Sequence, residues 1–423
     1  MRELLQQVRV IDPVSAIDRV ADVLIDEGAI ADVADSIPAD PSHTLVQNCQ
    51  GQILMPGLVD LYSRAGEPGF EDRETLDSLR RAAAAGGFTR VALLPDTQPA
   101  IDNPASVLWF HDHQRVADEL PRSQCWPWGA LTVGCRGEHM TELAELATTK
   151  IVGFADGHPL RSPLLVQRLL EYVRPLHQPI ALWAYDVDLA GNGVMREGAE
   201  ALLFGLPGIT AAADTSAIAA LIESVATTGT PVHLMRVATA RSVELIQAAK
   251  RRGLPITAST TWLHVLLNTQ AVGTYDPSLN LSPPLGTPTD QAALLQAVED
   301  GIIDAIAIDH TPHTYEDKTV AFAEAPPGAI GLELALPLLW QALVTPDLWS
   351  PQTLLRALST APAHCLAQTP PTIAPGQPAE MALFDPQKNW RVEARSLQSK
   401  SANTCWLGQE IQGKITKIWC ATA

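Results

Sequence analysis

Residues 55–69 read MPGLVDLYSRAGEPG, and this segment marks the first strand of the largest part of the chain. Its apolar run gives way to small residues, glycine and proline, the pattern of a buried strand that ends in a turn. Such a strand end delivers side chains into a cavity, and the side chains here are Tyr62, Ser63 and Arg64. The sequence therefore predicts a phenol, a hydroxyl and a guanidinium at a position suited to reactive groups.

Alternation of strand and helix patterns continues from about residue 55 to residue 365. Short apolar runs such as TRVALLP, PIALWAY, PVHLMRVA and DAIAID alternate with longer segments such as RSPLLVQRLLEYVRPL, whose apolar residues recur at helical spacing. Six or more such units, without a Gly-rich dinucleotide-binding motif after the first strand, favour a parallel barrel over a doubly wound sheet. In a parallel barrel the chemistry lies at the carboxyl ends of the strands.

Both chain ends carry a different pattern, with short runs in which apolar and polar residues alternate. We therefore predict an α/β protein with a (β/α)8 TIM barrel and one small β domain built from both ends. The predicted boundaries are 1–54 for the N-terminal part of the β domain, 55–367 for the barrel and 368–423 for the C-terminal part of the β domain.

Composition limits the function classes. The formal net charge of −18 argues against nucleic acid or an anionic membrane surface as a partner, because both are recognised by basic patches. The six cysteines are scattered and suit reduced thiols in a cytosolic protein. No signal peptide and no uncharged run long enough for a membrane helix is present. We expect a soluble, cytoplasmic protein.

Four segments carry a resemblance to a known family: PGLVDLYSRAGEPG, AAAAGGFTRVALLPDTQP, DAIAIDHTPHT and AEAPPGAIGLELALPLL. They resemble the dihydroorotase branch of the amidohydrolase superfamily, in the same order and spacing along essentially the whole chain. The resemblance implies a (β/α)8 barrel of the amidohydrolase type. It also implies a zinc-activated water that interconverts carbamoyl aspartate and dihydroorotate.

The residues at the metal positions depart from that family pattern. By the resemblance, four former histidine positions and a bridging carboxylate correspond here to Tyr62, Arg64, Trp183, Arg236 and Asp156. A remnant of the catalytic segment survives as Asp309, His310 and His313 in IDHTPH. Since guanidinium groups repel a divalent cation, we expect no zinc, no other cofactor and no catalytic residues.

The family's substrate contacts are also changed. By the same resemblance they correspond to Gly66, Asp96, Ser282 and Gly286. A site for a dicarboxylate needs bidentate arginine donors, and two matching guanidinium groups are missing while a carboxylate has been added. Catalysis by the family's route is expected to be lost.

A buried carboxylate without a partner is costly, so a replacement for the lost metal charge is physically required. We expect Arg236 or Arg64 to pair with Asp309, and also with Asp156, while Tyr62 and Trp183 fill the emptied volume. The alternative for Asp309 is a strand-end cap or a solvated loop position. His310 and His313 are expected to be structural loop histidines.

Three functions remain open. The first is a non-catalytic, oligomeric partner of aspartate transcarbamoylase in pyrimidine biosynthesis, as the resemblance implies for degenerate homologues. The second is an active cyclic amidohydrolase that is metal-independent or altered in specificity and uses Asp309 with a neighbouring histidine. The third is a small-ligand binding protein with Arg64 and Arg236 as anion contacts. An open cavity at the barrel mouth would favour an enzyme, and a crowded mouth would favour the structural partner.

Overall fold

The computed structural model describes residues 2–38, 42–114 and 123–420. Within these ranges, no helix has both the length and the apolar character needed to cross a membrane.

The small β domain is a seven-stranded sheet drawn from both chain ends. Its strands, in spatial order, are Glu410–Trp419, Met381–Arg391, Ile53–Pro56, Arg2–Asp12, Ile17–Asp26 and Ala29–Ala34, with Thr44–Asn48 paired to the strand Arg2–Asp12. The strand Met381–Arg391 runs antiparallel to Ile53–Pro56, with Met381 opposite Pro56. The prediction of one β domain built from both ends is confirmed.

The barrel is formed by parallel strands that follow one another in chain order. They are, from first to eighth, Leu58–Ser63, Phe88–Leu93, Gln124–Pro127, a single bridging residue Phe154, Ala181–Leu182, Val232–Leu234, Ile256–Thr261 and Ala305–Ala307. The eighth position closes on the first, where the Asp309 amide donates to the Tyr62 carbonyl at 3.1 Å and the Arg64 amide donates to the His310 carbonyl at 2.8 Å. The predicted (β/α)8 barrel is confirmed.

Helices surround the barrel and fill its connections. The α-helices are Leu76–Ala85, Pro104–His113, Leu143–Leu146, Pro163–Val173, Val187–Ala190, Ala199–Phe204, Ala212–Thr228, Ala240–Arg251, Trp262–Leu266, Pro288–Glu299, Tyr315–Lys318, Ala335–Leu339, Pro351–Leu355 and Ala361–Cys365. Two π-helical turns, Trp340–Val344 and Arg356–Thr360, continue the helices before them. The 3-10 turns are Val133–Cys135, Arg174–Leu176, Thr269–Thr274, Pro277–Leu279 and Phe322–Glu324. A further parallel pair, Met195–Arg196 with Gly208–Ile209, lies outside the barrel.

The passage from the β domain into the barrel depends on Gly57, which separates the strands Ile53–Pro56 and Leu58–Ser63. A Cβ atom at Gly57 would lie 2.1 Å from Oγ1 of Thr89 in the second barrel strand. Only glycine lets the two strands approach this closely, so a single residue joins the last strand of the N-terminal segment to the first barrel strand.

An ion pair connects the two domains beside this junction. Arg90 of the second barrel strand donates from Nε and Nη2 to the two carboxylate oxygens of Glu380, both at 2.6 Å. Thr89 donates from Oγ1 to the same carboxylate at 2.8 Å. Because Glu380 is buried, its charge depends on these donors for compensation.

We expect the substitution Glu380→Gln to lower the free energy of unfolding by roughly 2 kcal/mol, because Arg90 loses its counter-charge in a half-buried site. The measurement is urea denaturation at neutral pH. Glu244→Gln is the matched control, since Glu244 pairs with Arg241 in full contact with solvent and its loss should cost less than about 0.5 kcal/mol. Equal effects of the two substitutions would contradict the role assigned to Glu380.

Candidate functional site

An arginine–carboxylate pair occupies the barrel mouth. Arg236 follows the sixth barrel strand, and its Nε and Nη2 donate to the two carboxylate oxygens of Asp309, both at 2.7 Å. The remaining nitrogen, Nη1, donates to the Gly157 carbonyl at 3.0 Å. The Arg236 side chain is 1% exposed and the Asp309 side chain 16%. The sequence predicted Arg236 or Arg64 as the partner of Asp309, and Arg236 is the one that forms the bidentate pair.

An unusual backbone conformation directs the side chains of Arg236 and Asp309 toward each other across the mouth. Arg236 and Asp309 have φ angles of 56° and 50°, in the left-handed region that side chains with a Cβ rarely adopt. Each conformation costs on the order of 1–3 kcal/mol, and the surrounding structure has to enforce it. The hydrogen bond from the Asp309 amide to the Tyr62 carbonyl is part of that enforcement.

Two aromatic rings enclose the Arg236 guanidinium. Its carbon lies 4.6 Å from the ring centroid of Trp183 and 5.4 Å from that of Tyr62, distances typical of cation–π contacts. The Tyr62 hydroxyl accepts a hydrogen bond from the Arg236 amide at 3.1 Å and lies 2.9 Å from Oγ of Ser259. Burial raises the pKa of Tyr62 well above its usual value, so the phenol stays neutral. Tyr62 and Trp183 thus hold the arginine rather than ligate anything.

Arg64 forms a second ion pair beside the first. Its Nε donates to Asp96 at 2.8 Å, and its Nη1 lies 3.7 Å from the Asp309 carboxylate. His158 approaches the same Asp96 oxygen at 3.1 Å. Two arginines and two aspartates therefore alternate across the mouth and balance one another.

The two carboxylates are ionised. Burial by itself would raise the pKa of Asp309, but the neighbouring Arg236 and Arg64 outweigh burial and hold that pKa below its usual value. The pKa of Asp96 is held well below its usual value in the same way, with Arg64 and His158 opposing the effect of burial. Neither carboxylate has the raised pKa of a general acid at neutral pH.

These residues do not fit the zinc that the family resemblance implies. Zinc requires converging imidazole, thiolate or carboxylate donors, and within the described ranges no three His, Cys, Asp or Glu side chains are arranged in this way. The Asp309 oxygens are both engaged by Arg236, whose charge is permanent. The carboxylate of Asp309 therefore binds a cation that belongs to the chain itself, the guanidinium of Arg236.

The prediction made for Asp156 is wrong. We expected it to share an arginine with Asp309, but it accepts hydrogen bonds from the backbone amides of Leu131 and Thr132 at 2.7 and 3.0 Å. The Thr132 hydroxyl donates to its other oxygen. Burial raises the pKa of Asp156 even so. Its role is to fix the loop after the third barrel strand, and the three local donors make an arginine unnecessary.

His310 and His313 have structural partners. The Nδ1 of His310 accepts from the Gly331 amide at 3.1 Å, which leaves Nε2 as the donor to Glu74 at 3.4 Å. The Nε2 of His313 donates to the Pro327 carbonyl at 3.0 Å, and burial lowers the pKa of His313 to about 4. Both histidines hold the loop after the eighth strand in place.

Three of the four positions that the resemblance assigns to substrate contacts lie together at the mouth. Gly66, Asp96 and Ser282 line the mouth. At Gly66 a Cβ would lie 2.2 Å from the Glu74 carbonyl oxygen, and at Gly286 it would lie 2.6 Å from Cβ of Asp290. With this backbone neither glycine can be replaced by a longer side chain, so the two positions are closed to arginine.

A cavity of about 500 Å³ remains at the mouth. Of the predicted residues, its walls contain Arg64, Gly66, Asp96, Trp183, Arg236, Ser282, Asp309 and His313, whereas Tyr62, Asp156, His310 and Gly286 lie behind them. The mouth is therefore open rather than crowded, since Tyr62 and Trp183 pack against Arg236 at the floor of the cavity.

Sequence analysis missed three contributors to this site: the Gly157 carbonyl, His158 and Tyr185. The first two lie in the segment FADGHP, in which only Asp156 was predicted to contribute. The Tyr185 ring stacks on Trp183 with centroids 5.1 Å apart and also lines the cavity. Tyr185 could have been predicted, because it lies two residues after Trp183 at the same strand end. The Gly157 carbonyl could not, because any residue supplies a backbone carbonyl.

Comparisons with known proteins identify the family of the chain. Residues 51–242 match the family model described as "Dihydro-orotase-like". The chain is 41% identical to a probable dihydroorotase-like protein from Synechocystis sp., with 97% of each chain covered. It is 38% identical to a dihydroorotase from Pelobacter propionicus, with 98% of this chain and 96% of the relative covered.

The chain belongs to the dihydroorotase-like family. Solved structures show the same fold at low identity: L-hydantoinase from Arthrobacter aurescens aligns with a TM-score of 0.83 at 19% identity, over 100% of this chain and 97% of the other. Dihydropyrimidinase from Brevibacillus agri aligns with a TM-score of 0.82 at 19% identity, over 99% and 94%. This dihydroorotase-like chain therefore has the amidohydrolase barrel.

We expect Asp309→Ala to lower the free energy of unfolding by roughly 3 kcal/mol at pH 7, because Arg236 is left charged and buried. Since the folded-state pKa of Asp309 is below its usual value, this contribution is complete at neutral pH and is lost as the pH falls through the folded-state pKa. The measurement is chemical denaturation. Asp188→Ala is the control, because Asp188 pairs with Arg161 at the surface. The double variant Arg236→Met/Asp309→Leu should recover most of the loss, and an unchanged Asp309→Ala would refute the buried pair.

His264 gives a pH-dependent prediction. Burial lowers its pKa to about 4, while Nε2 donates to the Pro284 carbonyl and Nδ1 accepts from Thr261. The unfolded chain takes up this proton near pH 6.5, so His264 costs stability as the pH falls from 6.5 to 4. The penalty for His264→Asn measured at pH 7 should shrink by about 2 kcal/mol at pH 5. His139→Asn, at an exposed histidine, is the control, and a penalty independent of pH at position 264 would contradict this assignment.

Proposed function

We propose that this chain is a catalytically inactive member of the dihydroorotase family and acts as a structural partner of aspartate transcarbamoylase in pyrimidine biosynthesis. The observation that carries the proposal is the bidentate Arg236–Asp309 pair. A permanently charged guanidinium at the mouth replaces the charge that a catalytic metal would bring, but it cannot activate a water molecule as a Lewis acid does.

Metal-independent catalysis lacks a base of suitable strength at Asp309, His310 and His313. A general base needs an available lone pair, but both oxygens of Asp309 are engaged by Arg236 and its pKa is held low. His310 is engaged at both ring nitrogens, by Glu74 and by the Gly331 amide. His313 donates from Nε2 to the Pro327 carbonyl, and although its Nδ1 has no hydrogen-bond partner, burial lowers its pKa to about 4 and makes it a weak base. The alternative of an altered cyclic amidohydrolase would therefore need the ion pair to open during each turnover.

The structural role is supported by the intact frame around the altered site. The barrel closes, the β domain joins strands from both chain ends, and Gly57 allows the close junction between them. All six cysteines are free thiols, as the reducing cytoplasm favours. If the chain is not a catalyst, its folded surface is the part that remains to carry a function.

A small-ligand binding protein is the second candidate, and the cavity of about 500 Å³ favours it. Its predicted anion contacts are not free, since Arg64 is paired with Asp96 and Arg236 with Asp309. A ligand of this cavity would therefore be uncharged or zwitterionic, unlike carbamoyl aspartate.

The catalytic part of the proposal is tested by elemental analysis of protein purified without chelators, together with a dihydroorotase assay with and without added zinc. We expect less than about 0.1 zinc per chain and no turnover, because an arginine occupies the mouth. The dihydroorotase of Pelobacter propionicus, purified identically, is the positive control for both measurements. Stoichiometric metal or zinc-dependent turnover would overturn the proposal.

A further inference from the structure

An excursion between the fifth barrel strand and the helix Ala212–Thr228 exposes two consecutive leucines. Leu202 and Leu203 lie on the short helix Ala199–Phe204 and are 87% and 79% exposed. No other large apolar side chain in the described ranges is more exposed than Leu202. Burying these side chains would remove a large apolar area from water, so a pair of neighbours left exposed is a candidate contact point.

The excursion holds this leucine pair in a fixed position. At its base Arg196 donates from Nη1 to Asp214 at 2.8 Å, with both residues buried. At the helix end Tyr275 donates from its hydroxyl to the Phe204 carbonyl at 2.7 Å. Because the leucines are presented by an ordered support, little conformational entropy is lost when a partner covers them.

The charge around the leucine pair indicates which partner fits. Glu197 and Glu200 precede it on the same excursion, and the whole chain carries a formal charge of −18. A second copy of the chain would bring the same carboxylates against their counterparts, and like charges across an interface cost several kcal/mol. A basic border on the partner gains attraction instead and speeds association.

We propose that Leu202 and Leu203 are the anchor of a docking surface for a different protein, one that offers an apolar pocket bordered by lysine or arginine side chains. The proposal rests on the proposed function, because aspartate transcarbamoylase is the protein against which it is tested. It adds the surface and the chemistry of the contact, neither of which the family assignment supplies.

The experiment measures the affinity of the full-length chain for purified aspartate transcarbamoylase from the same organism by sedimentation velocity. Leu202→Ser/Leu203→Ser should weaken binding by about 30-fold or more, as expected for anchor residues. Leu348→Ser/Leu407→Ser, at exposed leucines elsewhere, is the matched control and should leave affinity within threefold. Glu197→Lys/Glu200→Lys should weaken binding, and added salt should weaken binding of the unmodified chain.

Each outcome has a distinct meaning. If the unmodified chain binds and the Leu202→Ser/Leu203→Ser variant binds equally well, the docking surface is wrong and the partnership stands. If the unmodified chain does not bind at all, the partnership is wrong and the docking proposal falls with it. If the leucine substitutions instead abolish a dimer of the chain, the occupant is a second copy and the basic partner is wrong.

Discussion

The bidentate pair between Arg236 and Asp309 is the constraint on which the arrangement of the barrel mouth depends. It connects the ends of the sixth and eighth strands, and its third bond to the Gly157 carbonyl reaches the segment after the fourth. An arginine that is 1% exposed has to be neutralised and fully hydrogen-bonded, so Tyr62 and Trp183 take positions that serve it. The strained backbone at both partners is tolerated because separating them would leave a buried charge.

Charge balance then fixes the character of the whole mouth. Arg64 and Asp96 form a second pair next to the first, so the local positive and negative charges cancel. A dicarboxylate entering this mouth would have to compete with Asp96 and Asp309 for the same guanidinium groups, which are already held in good geometry. Neither Arg64 nor Arg236 is therefore free to attract a doubly charged anion.

The sequence predicts the barrel and an arginine partner for Asp309, either Arg236 or Arg64, because both predictions follow from general physical requirements. Alternating patterns specify the barrel, and a buried carboxylate without a metal requires a cation. The partner of Asp156 was not predictable, because its donors are backbone amides about 25 residues away that only the folded loop brings close. The lack of room for a side chain at Gly66 was not predictable for the same reason, since the atom in the way is the Glu74 carbonyl oxygen, which only the fold brings close.

The open mouth shows why cavity shape alone does not separate an enzyme from a structural partner. A closed apolar void in a core is costly because its lining loses contacts, but a mouth that is open to solvent is filled with water and exerts little pressure to collapse. The cavity of about 500 Å³ can therefore persist whether or not its walls carry catalytic groups. Buried charge is different, since an unpaired Asp309 or Arg236 would cost several kcal/mol at once. The charged pair, rather than the volume beside it, carries the information about function.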